Sequence, residues 1–294
     1  NEAIMSSVAK SRKSRSAKPL RIVALLQGEP DALSLWTLQA LARCSSDLHL
    51  VQAFGGPGAG RIERFKKLSK RHGTGKTLLR AMGSLTFGRG FHRHVQQQLD
   101  SFFDVDNLRR WRETALPPSI LVPGLNAEET ADTLENLQPD IIVRVSGGII
   151  RPHIFSRARM ATLNIHHGMA PDIRGMASIQ WGLVEERADW IGATIHVIDK
   201  GIDTGQVLWR GSPHLAPGDD FAAIMFKTHL LAAGAMEDLL GRLSTGTPLE
   251  HLYQDVSPAD SVYRSNLDIM DWGKLALARG YGKHAAVTLR TAIK

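Results

Sequence analysis

From Arg21 onward the chain alternates short β-branched runs with longer stretches of helical composition, the pattern of strands joined by crossover helices in a mostly parallel sheet. Strands are expected at 22–26, 48–54, 119–122, 140–145, 162–166 and 193–198, with a further extended run at 206–210. The clearest helix is expected over 127–137, where Asn126 as N-cap and Glu129 three residues on would satisfy two orphaned amides reciprocally. The Gly/Pro-rich run 55–60 must be loop, and the long interval before the strand at 119 reads as a helical insertion. After Pro217, residues 221–243 are strongly helical in composition, and a second helical stretch lies around 272–279. No internal repeat is visible.

The fold class that follows is α/β, a mostly parallel sheet with flanking helices. The expected organisation is an arm at 1–19, one domain at 20–247 with its insertion at about 56–116, and a short, mostly helical extension at 248–294. At 43% hydrophobic residues in 294, the chain can bury a substantial core, and no apolar run approaches the roughly 20 residues of a membrane helix. A single cysteine, Cys44, leaves no internal disulfide framework and fits a reducing compartment, so the cytoplasm is the expected location and no membrane partner is expected.

The net charge of +7 matters through its placement. Lys10, Arg12, Lys13, Arg15 and Lys18 stand among serines before any apolar core, which reads as a disordered arm; a transit peptide would also be basic and serine-rich, but no amphipathic stripe accompanies these residues. A second concentration between Arg61 and Arg93 includes Lys66, Lys67, Lys70, Arg71, Lys76, Arg80 and Arg89 with Glu63 as its only acid. It is either a solvated helical face or a surface for phosphate.

Three tempting motifs fail. Gly75-Lys76-Thr77 ends like a phosphate-binding loop, but Lys70 stands where the pattern requires glycine. His92 with His94, and His166 with His167, lack acidic or thiol partners at ligand spacing, so no metal is expected and the His92 pair reads as part of the cationic surface. Gly147 and Gly148 do not continue into a dinucleotide fingerprint.

The chemistry is expected where the strand ending at His166 meets the crevice outside the carboxyl ends of the sheet. Asn164 and His166 are two apart and project to one face, with Ile165 turned away. An amide can donate to a carbonyl oxygen gaining negative charge, and an imidazole can exchange a proton near neutrality, the pair of functions that acyl transfer through a tetrahedral intermediate requires. Asp199-Lys200-Gly201-Ile202-Asp203-Thr204-Gly205 follows the next strand, and its glycines permit a tight loop with exposed backbone. Asp203 there either orients His166 and favours its charged form, or positions water to relay the amine's proton, or is a turn residue for local reasons.

In order and spacing, Asn164-Ile165-His166, Pro171-Asp172-Ile173-Arg174-Gly175, Ile179-Gln180-Trp181 and Gly201-Ile202-Asp203-Thr204-Gly205 resemble the formyltransferase family over about residues 20–247, together with Pro139-Asp140-Ile141-Ile142-Val143 and Gly147-Gly148-Ile149-Ile150. The resemblance implies a Rossmann-like catalytic domain using 10-formyltetrahydrofolate without metal, with Asn164, His166 and Asp203 catalytic. It also implies a pterin lying against Ser146, Gly147, Gly148, Ile149 and Ile150 and the loop with Asp199, Gly201 and Ile202. His167-Gly168-Met169-Ala170-Pro171 departs from the family's usual serine-containing run.

The family includes enzymes that formylate initiator methionyl-tRNA, but these carry a β-barrel domain that the short, helical-looking end of this sequence does not suggest. A small amine acceptor is therefore expected, an amino sugar on a nucleotide ahead of an amino acid or hydroxylamine. The alternatives are the tRNA reaction, hydrolysis of the formyl folate by the same triad, and a non-catalytic nucleic-acid-binding protein driven by the basic segments. The apolar stretch around Trp272 forms either a homodimer surface or a face packed on the catalytic domain.

Overall fold

A computed structural model of the chain describes residues 19–54, 66, 69, 70, 73–216, 218–257 and 261–277. The basic arm up to residue 18, the loop 55–60, several cations of the second basic segment and residues 278–294 lie outside that range.

The first half of the domain runs β1 (Ile22–Gln27), α1 (Ala32–Cys44), β2 (Leu48–Ala53), α2 (Thr74–Gly83), a π-helical turn (Ser84–Gly88), α3 (Arg89–Phe102), α4 (Val105–Ala115) and β3 (Ile120–Val122). It continues with α5 (Glu128–Leu137), β4 (Ile141–Arg144), α6 (Pro152–Phe155), β5 (Ala161–His166), β6 (Ile173–Gly175) and α7 (Ser178–Val184). After a 3-10 turn (Ala188–Trp190) come β7 (Ala193–Val197), β8 (Val207–Gly211), α8 (Phe221–Ser244), a second 3-10 turn (Leu249–Leu252), β9 (Val262–Arg264) and α9 (Ile269–Leu277).

The seven-stranded sheet has the order β3-β2-β1-β4-β5-β7-β8, parallel from β3 to β5 and antiparallel for its last two pairs. The strand order reverses between β1 and β4, a topological switch point of the Rossmann-like kind. Residue alternation along the strands explains the layers. Ile22, Ala24, Leu26, Ile141 and Val143 face Leu38 and Leu41 of α1 and Met236, Leu239, Leu240 and Leu243 of α8. Val23, Leu25, Val51 and Ile142 face the opposite side, against Ala131, Leu134 and Ile154. Asp31 caps α1 by accepting from the Ser34 amide at 2.9 Å, and Asp220 caps α8 by accepting from the Ala223 amide at 2.8 Å.

Three expectations change. Helix α5 starts one residue late, with Ala127 as N-cap and no side-chain cap. Asn126 instead reaches the loop after β4, donating to the Ile149 carbonyl at 2.9 Å and accepting from the Arg151 amide at 2.6 Å. Tertiary partners for both ends of the amide outcompete the local cap. The C-terminal extension is not only helical, because β9 pairs in parallel with β6 over Val262–Arg264. Finally, Trp272 packs within the domain: its indole lies 5.2 Å from the ring of Phe91 and it shares a cluster with Val95, Leu99, Phe103 and Leu275. The contact with α2 is close enough that a Cβ on Gly83 would sit 2.8 Å from the Trp272 ring. The insertion and the C-terminal segment thus form one lobe beside the carboxyl ends of the strands.

Candidate active site

The carboxyl ends of β4 and β5 and the loop that follows β7 line a cavity of about 560 Å³. Asn164, His166 and Asp203 all line it, as do Gly147, Gly148, Ile149, Ile150, Asp199, Gly201 and Ile202. Ser146 does not. Its hydroxyl accepts from the Gln27 amide at 3.1 Å, tying the loop after β4 to the end of β1, so it supports the wall from behind.

Strand register assembles the centre. Asn164 on β5 lies opposite Arg144 on β4 and His196 on β7, and His166 lies opposite Thr194. The Arg144 Nε donates to Asn164 Oδ1 at 3.0 Å, which fixes the amide orientation because a guanidinium cannot accept. Asn164 Nδ2 then faces His196 Nε2 at 3.1 Å. The other nitrogen of His196 lies 2.9 Å from the Val197 carbonyl and must carry a proton, leaving Nε2 free to accept from Asn164. When protonated, Nε2 donates instead to Asp203 Oδ1 at 3.4 Å.

Asp203 occupies the left-handed region at φ 51°, a conformation that Asp tolerates better than most residues. Its Oδ2 accepts from the Gly175 amide at 2.9 Å and stands 3.4 Å from His166 Nδ1. Burial pushes the carboxyl pKa up, but the bond from His196, the charge of His166 and the Gly175 amide outweigh it and bring it to about 2. Burial pushes His166 below the ordinary histidine value; Asp203 opposes this, and His196 and Arg144 reinforce it. His166 Nε2 meets the Ser178 hydroxyl at 3.2 Å. Asp199 closes its own loop, its Oδ1 accepting from the Gly201 amide at 2.9 Å and from the Thr204 hydroxyl at 2.7 Å.

Within the departure at 167–170, glycine at 168 has a steric reason. A Cβ on Gly168 would lie 2.5 Å from Ser178 Cβ and 2.7 Å from His166 Nε2, so the loop passes too close to the imidazole for any side chain. The lobe adds His92, Val95, Gln96 and Leu99 of α3 and Tyr263 of β9 to the lining, and Phe221 and Met225 of α8 and Ser178 and Gln180 of α7 contribute further wall. His92 is therefore a cavity residue rather than part of a plain cationic surface, and it stacks edge-on against Trp272 at 5.6 Å. Sequence reasoning missed Arg144, His196, Ser178 and Tyr263. The same-face rule applied to Thr194 and His196 would have found His196; the others depend on strand register and on segments far apart in the chain.

Comparison with known proteins fits this geometry. Residues 118–239, which carry β3 through most of α8, match the family model described as formyl transferase. This segment belongs to the formyltransferase family. A methionyl-tRNA formyltransferase of Geobacter metallireducens is 33% identical over 131 residues, 44% of this chain and 42% of that one. A second methionyl-tRNA formyltransferase, of Trichlorobacter lovleyi, is 27% identical over 171 residues, 56% of this chain and 54% of its own. This chain thus spans about half the length of the curated relatives it matches. Among solved structures, a variant of HypX from Aquifex aeolicus superposes with a TM-score of 0.51 at 13% identity over 92% of this chain and 35% of that one, a likeness of fold. The mostly parallel sheet with flanking helices is a Rossmann-like fold. Among the described residues, no group of three or more His, Cys, Asp or Glu side chains is placed to hold a metal ion, and no helix is long and apolar enough to cross a membrane.

Proposed function

We propose that this protein transfers a formyl group from 10-formyltetrahydrofolate to the amine of a small acceptor, with an amino sugar carried on a nucleotide as the favoured class. The observation that carries the reading is the convergence of Asn164, His166 and Asp203 on one cavity with the amide orientation of Asn164 already fixed by Arg144. The donor's residues fit a flat polar heterocycle: Gly147, Gly148, Ile150, Asp199, Gly201 and Ile202 offer backbone along the wall, and the Ile149 side chain, 71% exposed, leaves apolar surface for a ring to cover. Bound there, 10-formyltetrahydrofolate supplies an activated formyl carbonyl.

Asn164 gives one N–H to His196 and keeps the second for the formyl oxygen as it gains negative charge. His166 adds a second donor at that oxygen when protonated. Asp203, ionised at neutral pH, holds the imidazole through Nδ1 and favours its charged form. The attacking amine must arrive deprotonated, and the proton it sheds passes to the Asp203 and His166 pair, which returns one to the departing folate nitrogen. A cavity of about 560 Å³, closed on one side by α3, suits a small acceptor. Methionyl-tRNA is the second reading, favoured by the names of the curated relatives.

An acceptor screen with 10-formyltetrahydrofolate tests the proposal by tetrahydrofolate release and mass of the product. Release that requires an amino sugar nucleotide, with the product heavier by one formyl group, supports it. Release requiring methionyl-tRNA supports the second reading, formate release without acceptor points to a hydrolase, and no release with any of these contradicts formyl transfer.

A further inference from the structure

A second histidine system lies just behind the centre and takes no part in the steps above. His167 lines the cavity, and its Nε2 sits 3.1 Å from Nδ1 of His229 on α8. His229 Nε2 lies 2.8 Å from the Leu33 carbonyl and 3.1 Å from the Thr37 hydroxyl. The Thr37 hydroxyl has one proton and gives it to the same Leu33 carbonyl at 3.0 Å.

Proton bookkeeping along this chain allows one arrangement. A carbonyl only accepts, so His229 Nε2 must carry a proton. His229 is neutral near pH 7, since burial brings its pKa down to about 4, so its Nδ1 is bare and accepts. His167 Nε2, facing that bare nitrogen, must therefore be the protonated one. His167 is itself held neutral, chiefly by burial, with the crowding of His229, His166 and Arg144 disfavouring a further positive charge, which leaves its Nδ1 with a lone pair and without a partner among the described residues. A histidine tautomer is normally free to change; here a buried backbone carbonyl two residues removed dictates it.

Resting on the formyl-transfer reading, we infer that His167 Nδ1 is a fixed hydrogen-bond acceptor that recognises an N–H or O–H group of the amine substrate, making His167 a specificity-determining residue of the acceptor side of the cavity. The ligand class is thus an amine with a hydroxyl or a second N–H beside the reacting nitrogen. Gln96 lines the same cavity and gives its amide N–H to Asp100 at 2.7 Å, so its oxygen is a second acceptor on that lining. A cavity presenting bare acceptors among Val95, Leu99, Phe221 and Met225 selects for a donor-bearing, partly apolar molecule.

The test separates the two nitrogens of His167. In His167→Gln the side-chain amide overlaps the position of Nε2 and keeps the bond to His229 while removing the acceptor; in His167→Asn the amide oxygen overlaps Nδ1 and keeps the acceptor. The Gln variant should raise the KM for the amine about tenfold, the loss of one hydrogen bond to a neutral partner, with the KM for 10-formyltetrahydrofolate unchanged and kcat within about threefold. The Asn variant should recover most of that loss. In wild type, nitrogen NMR of labelled histidine should show His167 protonated at Nε2 and bare at Nδ1. A bare Nε2, an effect on the folate KM alone, or no effect of either variant overturns this inference and leaves formyl transfer standing. Wild type that formylates no amine overturns the reading beneath it and this inference with it.

Discussion

The two walls of the cavity are built by different means. The wall proposed to face the folate comes from the loops after β4 and β7, the two strands that flank β5, and the side chains beneath it are aligned by sheet register: Arg144, Asn164 and His196 lie in one row across three strands. The opposite wall comes from α3, with Trp272 from a segment about 180 residues later wedged behind it. A register row is as rigid as the hydrogen-bonded ladder, whereas the lobe depends on side-chain packing, so damage to the lobe should loosen the proposed acceptor side of the cavity while the row proposed to be catalytic survives.

Trp272→Ala sharpens this contrast most. Removing a buried indole that touches Phe91 and Gly83 should cost about 3–5 kcal/mol of packing, read as faster hydrogen exchange across α2, α3 and α9 with the strands still protected. Equal loss of protection in β4 and β5 would show that the lobe and the sheet unfold as one unit.

Next comes the pH dependence that the histidine chain imposes. His229 has a folded pKa of about 4, below the roughly 6.5 of an unfolded histidine. Above pH 6.5 both states leave it neutral. As pH falls toward 4 the unfolded chain takes a proton that the folded one refuses, so stability should drop by on the order of 3 kcal/mol across that window. His166 and His167 act in the same direction. His229→Gln keeps a donor for the Leu33 carbonyl and removes the titration; denaturant midpoints measured from pH 7 to pH 4 should fall less steeply than in wild type.

On the sheet side, Gly168→Ala places a methyl against His166 Nε2. A displaced imidazole should lower the transfer rate roughly a hundredfold, at nearly constant KM for the folate, as steady-state kinetics would show. The smallest effect is expected for Asn126→Ala, which frees the loop at 149–151 and should weaken folate binding about tenfold by calorimetry. An unchanged affinity would mean that the loop holds its shape without Asn126.

How much of this was legible follows the same division. All seven strands of the main sheet could be read as short apolar, β-branched runs, because the central strands are covered on both faces and residues such as Ile22, Ile142 and Leu163 are buried in nearly continuous runs. Asn164 and His166 could be placed on one face because they stand two apart on one strand. Sequence could not assign Asn126, whose amide satisfies a capping box equally well on paper but finds tertiary partners at Ile149 and Arg151. It could not find β9, a three-residue strand whose stability comes from pairing with β6 rather than from its own composition. Trp272 stayed open because an apolar helical face is the same whether it meets a second copy or its own chain.

The central claim is that the row through Asn164, with His166 and Asp203, performs formyl transfer. The most direct measurement is acceptor-dependent tetrahydrofolate release by Asp203→Asn, with thermal melting as the control for folding. The account predicts a rate at least about a thousandfold below wild type in a protein that still binds the folate. A folded Asp203→Asn variant that turns over within tenfold of wild type would contradict it.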